Sequence, residues 1–376
     1  MRDDTLTLLA DAAAAFAKPD SRRIRALRGR PDGFDRAVWR GMAGQGWFSV
    51  TVPEDAGGLG LGLDAAATIA TRLGYANYPE PFVAAAVLPT AVLARGDNPA
   101  PCAQLLAELC GGDRLVTVAW QDDAGALAAE ATAVTEQDGV LAGHCRFVRV
   151  AAADVFIVAA RGADGLALYA VERDRAGLAV ERESAADGSA SARLVLAGVA
   201  VGAADRLASP LCAPGALAHA ADAAVLCTAA ELVGIMERVL ELTFEYLRTR
   251  KQFGKPIGAF QALQHRAVDI WIQKELSRAA LDAALRRFAA AATARDRALA
   301  ASSAKARAAD AALRVCKEAV QLHGAIGFTD EYDLSLYFNR ALVLCAWLGN
   351  AAAHRRRYGD LSAVGDGLAA AAAEAA

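Results

Sequence analysis

The chain has 376 residues, enough for two or three packed layers each with its own core, and a net charge of −3, which gives no global attraction to nucleic acid or an anionic membrane. Seven dispersed cysteines without a C-x-x-C pair point to buried thiols in a reducing cytoplasm and argue against a zinc site. The first residues carry no signal-peptide pattern, and no apolar run reaches the ~20 residues that span a bilayer.

Apolar spacing and turn residues predict helices over 4–17, 34–46, 62–75, 80–94 and 99–110, an all-helical layer occupying 1–113. Within it, the arginine-rich run from Arg22 to Arg30 reads as a solvated, mobile connector. From Arg114 the period changes. Seven short, β-rich, turn-bounded runs, among them Leu115–Trp120, Gly139–Gly143, Phe147–Val150 and Val155–Ala160, predict an antiparallel barrel or sandwich over 114–205. Helical spacing returns over 206–376, with helices near 216–250, 259–290, 294–323 and 331–357, lengths suited to a four-helix bundle, and the alanine tail Ala369–Ala376 reads as frayed helix. The fold class is α+β multidomain and mostly α: helical layer, β-domain, four-helix bundle.

The corner between the first two bundle helices, Arg248 to His265, is polar and punctuated by Gly254, Pro256 and Gly258. It ends one helix with fixed positive charge and opens the next near a proline, so cations and free N–H groups converge where a phosphate or pyrophosphate would sit. Arg250 offers a planar, two-pronged donor set and Phe253 an apolar edge for a ring. The alternative is that these basic residues only complement the helix dipole.

Three motifs in order carry a resemblance. R-x-Q-F-G-x-P-I-x-x-F-Q-x-x-Q-H, entered from Ala230-Glu231-Leu232-Val233-Gly234, the stretch Gln321 to Tyr332, and Val52-Pro53-Glu54-Asp55-Ala56-Gly57-Gly58-Leu59-Gly60 resemble the signatures of the acyl-CoA dehydrogenase family. The resemblance implies FAD between the β-domain and the bundle, and an acyl-CoA thioester whose α-proton goes to a carboxylate while the flavin accepts the β-hydride. By the same resemblance Arg250, Gln252 and Phe253 contact the FAD diphosphate and adenosine, and Gln321 and Gly324 reach the cofactor of a neighbouring subunit. An electron-transfer flavoprotein or similar acceptor and a homodimer, homotetramer or hetero-oligomer with a second family member are implied too.

The chain departs from the family at the chemistry. The usual base position falls on Leu348, within Trp347-Leu348-Gly349-Asn350, and the minority position falls near Ala224. Asp222, two residues away, is the surviving candidate base, or else a surface or cap aspartate. Where the family's loops meet the flavin ring, this chain has Ala119 to Gly125 and Phe147-Val148-Arg149-Val150. Trp120 and Gln121 either cover and hydrogen-bond that ring or are core. Glu331 and Asp333 read as caps of the last helix, His265 and His323 as hydrogen-bonded helix-end residues with no metal partner, Arg340 as a basic residue near the active-site end, and Arg355 to Arg357 as a solvated face. Two readings follow: an enzyme forming a 2,3-enoyl-CoA with an unusual base, or a base-less subunit that serves a partner holding the glutamate. A flavin-dependent oxygenase is a more distant third.

Overall fold

The structure, a computed structural model, describes the backbone of residues 2–374 and the side chains of 4–363. Its first layer contains α1 (Arg2–Phe16), α2 (Ser21–Leu27), α3 (Arg36–Gly44) and α4 (Leu63–Ala76), then a π-helical turn over Val83–Val87 that runs into α5 (Leu88–Leu93), and α6 (Pro99–Cys110). The arginine-rich run is not a mobile connector. It forms α2, capped by the Asp20 side chain on the Arg23 N–H. Arg23 donates both terminal nitrogens to buried Glu80 at 2.8 and 3.0 Å, while Arg25 and Arg28 reach Asp333 and Asp330 at 2.9 and 2.6 Å. Composition shows charge density but not the acids that tertiary packing brings to it.

The sheet holds β1 (Val116–Ala119), β2 (Thr135–Gln137), β3 (Val140–Val148), β4 (Val155–Gly162), β5 (Gly165–Glu172), β6 (Leu178–Ser184), β7 (Ala190–Ala200) and β8 (Arg206–Ala208). Its order is β6-β7-β3-β2-β4-β5-β8, with β1 alongside β4. It is mixed rather than wholly antiparallel, because β1 and β2 both run parallel to β4. The runs expected at 139–143 and 147–150 are largely one strand, β3, interrupted by a register shift between Cys145 and Val148.

The bundle is built on α7 (Ala213–Thr249), α8 (Gln261–Ala290), α9 (Ala294–His323), α10 (Leu334–Ala346) and α11 (Ala351–Glu374), with a short hairpin, β9 (Lys251–Gln252) and β10 (Lys255–Pro256), between α7 and α8. The last helix expected near 331–357 is therefore two. Left-handed backbone at Leu348 and Gly349 breaks it, and the Asn350 side chain accepts the Ala353 N–H to start α11. Of the alanine tail, Ala375 and Ala376 lie outside the described residues.

Two glycines weld the first layer to the bundle. A Cβ on Gly74 of α4 would fall closer than 3.0 Å to the Glu231 carbonyl of α7, and one on Gly234 of α7 closer than 3.0 Å to the Thr71 carbonyl of α4. The helix backbones touch, and no methyl group fits between them. Gly234→Ala is expected to cost at least about 2 kcal/mol by overpacking, read as a lower urea midpoint. Gly215→Ala in the same helix, where a Cβ meets open space, should instead gain about 0.5–1 kcal/mol.

Candidate functional site

The α7–α8 corner is a two-residue hairpin, with Gln252 opposite Lys255 and both central residues, Phe253 and Gly254, at positive φ (52° and 81°). Glycine adopts this freely, but a phenylalanine there is strained. The strain thrusts Phe253 into solvent, 90% exposed, edge-on to Phe260 at 6.1 Å. Arg250 caps α7 with its N–H on the Tyr246 carbonyl, and its side chain is exposed beside the hairpin. At the far end of α9, Gly324 takes φ 67° and ψ −142°, with open space where a Cβ would lie, next to exposed Gln321. Arg250, Gln252, Phe253, Gln321 and Gly324 thus all face outward.

The usual base position is buried. Leu348 is 1% exposed at φ 56°, in a turn held from three sides. Lys305 of α9 donates to the carbonyls of Leu344, Trp347 and Gly349 at 2.9, 2.7 and 3.0 Å. Burial pushes this ammonium down to about 8, which still leaves it charged at neutral pH with three donors for three acceptors. His354, pushed down to about 3 by burial and by Lys305, is neutral; donating from Nε2 to the Leu348 carbonyl (2.9 Å), it has Nδ1 free to accept from the Ser302 hydroxyl (3.3 Å). The turn is anchored, but it presents no carboxylate.

Beside it lies a charge cluster that joins sheet and bundle. Arg340 of α10 holds Glu231 of α7 through Nε and Nη2 at 2.9 and 2.7 Å, and Asp187 from the β6–β7 turn through Nη1 at 3.0 Å. Arg149 approaches Asp187 at 3.9 Å and lies over the Trp347 ring at 5.6 Å. All four charged side chains are at most 10% exposed. Burial pushes the Asp187 carboxyl up, but Arg149 and Arg340 outweigh it and leave it below the usual range; Arg340, lowered by burial, is raised on balance by its two acids. The space alongside, lined by Asp187, Ser189, Asn339 and Arg340, is about 20 Å³, room for one water.

Trp120 and Gln121 are both 3% exposed. Gln121 spends its amide on the carbonyls of Gly125 and Ala126 at 2.6 and 3.3 Å, whereas the Trp120 indole N–H is buried without a partner, an unmet donor. Asp222 is buried and accepts from Arg357 of α11 at 2.6 Å, so Arg357 is no part of a solvated face and the carboxylate turns toward α11. Asp333 stands at the N-cap of α10 but makes no capping bond, since Arg25 takes its carboxylate; Glu331 is exposed. His323 bonds the Ala319 carbonyl and the Tyr332 hydroxyl at 2.7 and 3.1 Å, and His265 is exposed. Among the described residues there is no His, Cys, Asp or Glu cluster able to hold a metal, and no helix long and apolar enough to cross a membrane.

Lys305, His354 and Asp187 are absent from the sequence reasoning, and Glu231 enters it only as part of a motif. A signal existed for two of them. Glu231 interrupts the apolar run from Val225 to Met236, and Lys305 sits among alanines and serines, and a charge on a buried helix face needs a partner.

Comparison with known proteins fits this architecture. The acyl-CoA dehydrogenase N-terminal domain matches residues 3–113 and the C-terminal domain matches 218–360. The chain is 31% identical to acyl-CoA dehydrogenase IpdE2 of Mycobacterium tuberculosis over 91% of this chain and 89% of that protein, and 29% identical to FadE27 of the same organism over 87% and 88%. Among solved structures, the Tcur3481-Tcur3483 steroid ACAD superposes with TM-score 0.86 at 30% identity, over 98% of this chain and all (100%) of that one. The ChsE4-ChsE5 complex from Mycobacterium tuberculosis gives 0.86 at 28% identity, over 95% and 97%. Fold and motifs together define a flavoprotein dehydrogenase architecture. The chain belongs to the acyl-CoA dehydrogenase family, whose cofactor is FAD and whose general reaction is the dehydrogenation of an acyl-CoA.

Three stability predictions test the face between sheet and bundle and the turn beside it. Arg340→Met strands Glu231 without a cation and leaves Asp187 only the more distant Arg149, and is expected to cost about 3–5 kcal/mol in urea unfolding. Because the Asp187 carboxyl is held below its ordinary value, its contribution is complete above the ordinary aspartate range and is lost as pH falls through the lowered value. An Asp187→Asn protein should therefore show a shallower decline of unfolding free energy on the acid side than the wild type. Lys305→Met leaves three carbonyls unsatisfied and is expected to cost about 3 kcal/mol, with faster amide exchange over 348–354.

Proposed function

We propose that this chain is the base-less subunit of a heteromeric, FAD-dependent acyl-CoA dehydrogenase that converts an acyl-CoA thioester to its 2,3-enoyl-CoA. One observation carries the reading: both positions where the family keeps its base are apolar here, Leu348 and Ala224, each buried, while the cofactor corner is intact and exposed. The Tcur3481-Tcur3483 and ChsE4-ChsE5 structures, each named for a pair of proteins, support it and direct the first substrate panel to bulky steroid side-chain thioesters.

The residues fit the diphosphate and adenosine end of FAD. Arg250 supplies a fork of donors and Phe253 an apolar edge, while Gly324 offers the cofactor of a neighbouring subunit a backbone that nothing screens. Gln252 adds an amide donor at the corner and Gln321 another toward the neighbour's cofactor. Bound there, the cofactor supplies the hydride acceptor, and this chain's side chains orient it and exclude water. The ring end does not fit this chain: Arg149, Arg340, Asp187, Glu231 and Trp347 fill the face between sheet and bundle. Trp120 is buried with its indole N–H unmet, and Gln121 braces its own loop through the Gly125 and Ala126 carbonyls. On α8, Val268, Trp271, Ile272 and Leu276, at 51, 46, 39 and 52% exposure, form an apolar stripe suited to a second subunit.

The second reading, a self-sufficient enzyme using Asp222 as base, rests on a carboxyl that burial raises despite Arg357, the direction a general base needs. An anaerobic spectrum of the chain, titrated with acyl-CoAs alone and after co-expression with a glutamate-bearing family member, decides between them. Bleaching is expected only in the complex, where Arg250→Ala should lower retained flavin by ~10-fold and Asp222→Asn should leave the rate within about 2-fold. Bleaching by the chain alone, slowed ~10²-fold by Asp222→Asn, overturns the proposal.

A further inference from the structure

A second site lies at the other end of α7. Between α4, α5, the first turns of α7 and the α8–α9 turn is a cavity of about 980 Å³, within the range that holds drug-sized ligands. From Ala223 on its wall to Arg250 is 27 residues of helix, about 40 Å, so it is separate from the cofactor corner. It also stands apart from the closed face, for none of Arg149, Asp187, Glu231, Arg340 or Leu348 lines it.

One side is apolar: Leu63, Val87, Ala91, Ala223, Leu285 and Phe288. The other carries Arg95, Arg286 and Arg297, and none of these guanidiniums has a carboxylate at ion-pair distance among the described residues. Arg297 Nε is buried with no hydrogen-bond partner, and Arg95 gives one Nη only to the Ala91 carbonyl, at 3.3 Å. Burial and the neighbouring charge of Arg297 lower Arg95; burial, Arg95 and Arg297 push His219 down to about 3, so this imidazole is neutral where it packs on Phe288 at 5.2 Å. Two acids, Asp64 and Asp282, share the wall, and Asp64 already accepts the Ala65 N–H at 3.2 Å. Like charges facing one another across a half-buried, apolar-walled space are an electrostatic cost that an anion removes and that a cation or neutral lipid does not.

We propose that this cavity binds an amphipathic carboxylate, its chain or fused rings against Leu63, Val87, Ala223 and Phe288 and its head group between Arg95 and Arg297. The site is a binding site of this chain, independent of whether the flavin reaction is run alone or with a partner.

Calorimetric titration of the purified chain with dodecanoate tests it, with dodecyltrimethylammonium as a control of equal apolar length and opposite charge. One dodecanoate per chain and no cationic binding are expected. The pair Arg95→Gln and Arg297→Gln should weaken dodecanoate by at least ~10-fold, having lost two charge-assisted contacts, with the unfolding midpoint unchanged or raised. Ala223→Trp, which fills the apolar wall, should abolish binding while both arginines remain. Equal binding of the two amphiphiles, dodecanoate binding untouched by both variants in folded protein, or no binding at millimolar dodecanoate would each overturn the proposal.

Discussion

Everything downstream depends on the crossing of α4 and α7, where Gly74 and Gly234 let two helix backbones touch. The contact fixes more than a distance. The carbonyl that Gly74 accommodates is that of Glu231, so the residue whose backbone is pinned in the crossing also projects its carboxylate to Arg340. Shift α7 by the width of a methyl group and the carboxylate leaves its guanidinium. Through Arg340 the constraint passes to Asp187 in the sheet, and so the first layer, the sheet and the bundle take their mutual positions from one pair of glycines.

The ion cluster that results is a poor source of stability and a good source of specificity. Two arginines and two acids sum to no charge, and each acid has a cation at hand, so desolvation is offset rather than repaid with profit. A packed apolar set would hold the layers together as well. It would not insist on one register between the β6–β7 turn and α10, as hydrogen bonds to both Arg340 terminal nitrogens do. The same cluster leaves guanidiniums and an indole on the face between sheet and bundle.

How far the sequence discloses this follows from the range of each force. Helix and strand order along the chain were legible because they rest on local periodicity and on turn residues such as Gly57, Gly58, Gly254 and Pro256. The corner was legible because one contiguous stretch builds it. What was hidden depends on pairing across hundreds of positions: Arg28 with Asp330 turns an apparently free basic run into a docking helix, and Asp222 with Arg357 ties up the candidate base. The break at Leu348–Gly349 was hidden for another reason. Leucine is an ordinary helix former, and only the three carbonyls gathered by Lys305 explain why it sits at positive φ.

The two ends of the bundle then divide the labour. At the closed face Leu348 is shut away beside paired charges, whereas at the corner Phe253 stands exposed on a strained backbone. A groove of about 430 Å³ lined by Leu247, Arg248, Gly258, Val268 and Trp271 runs from the corner into the apolar stripe of α8. On the proposed reading, a subunit that covers the stripe comes to rest against the corner. On the same reading, burial of Trp271 by that subunit and occupation of the Arg250 fork are linked equilibria, each raising the apparent affinity of the other.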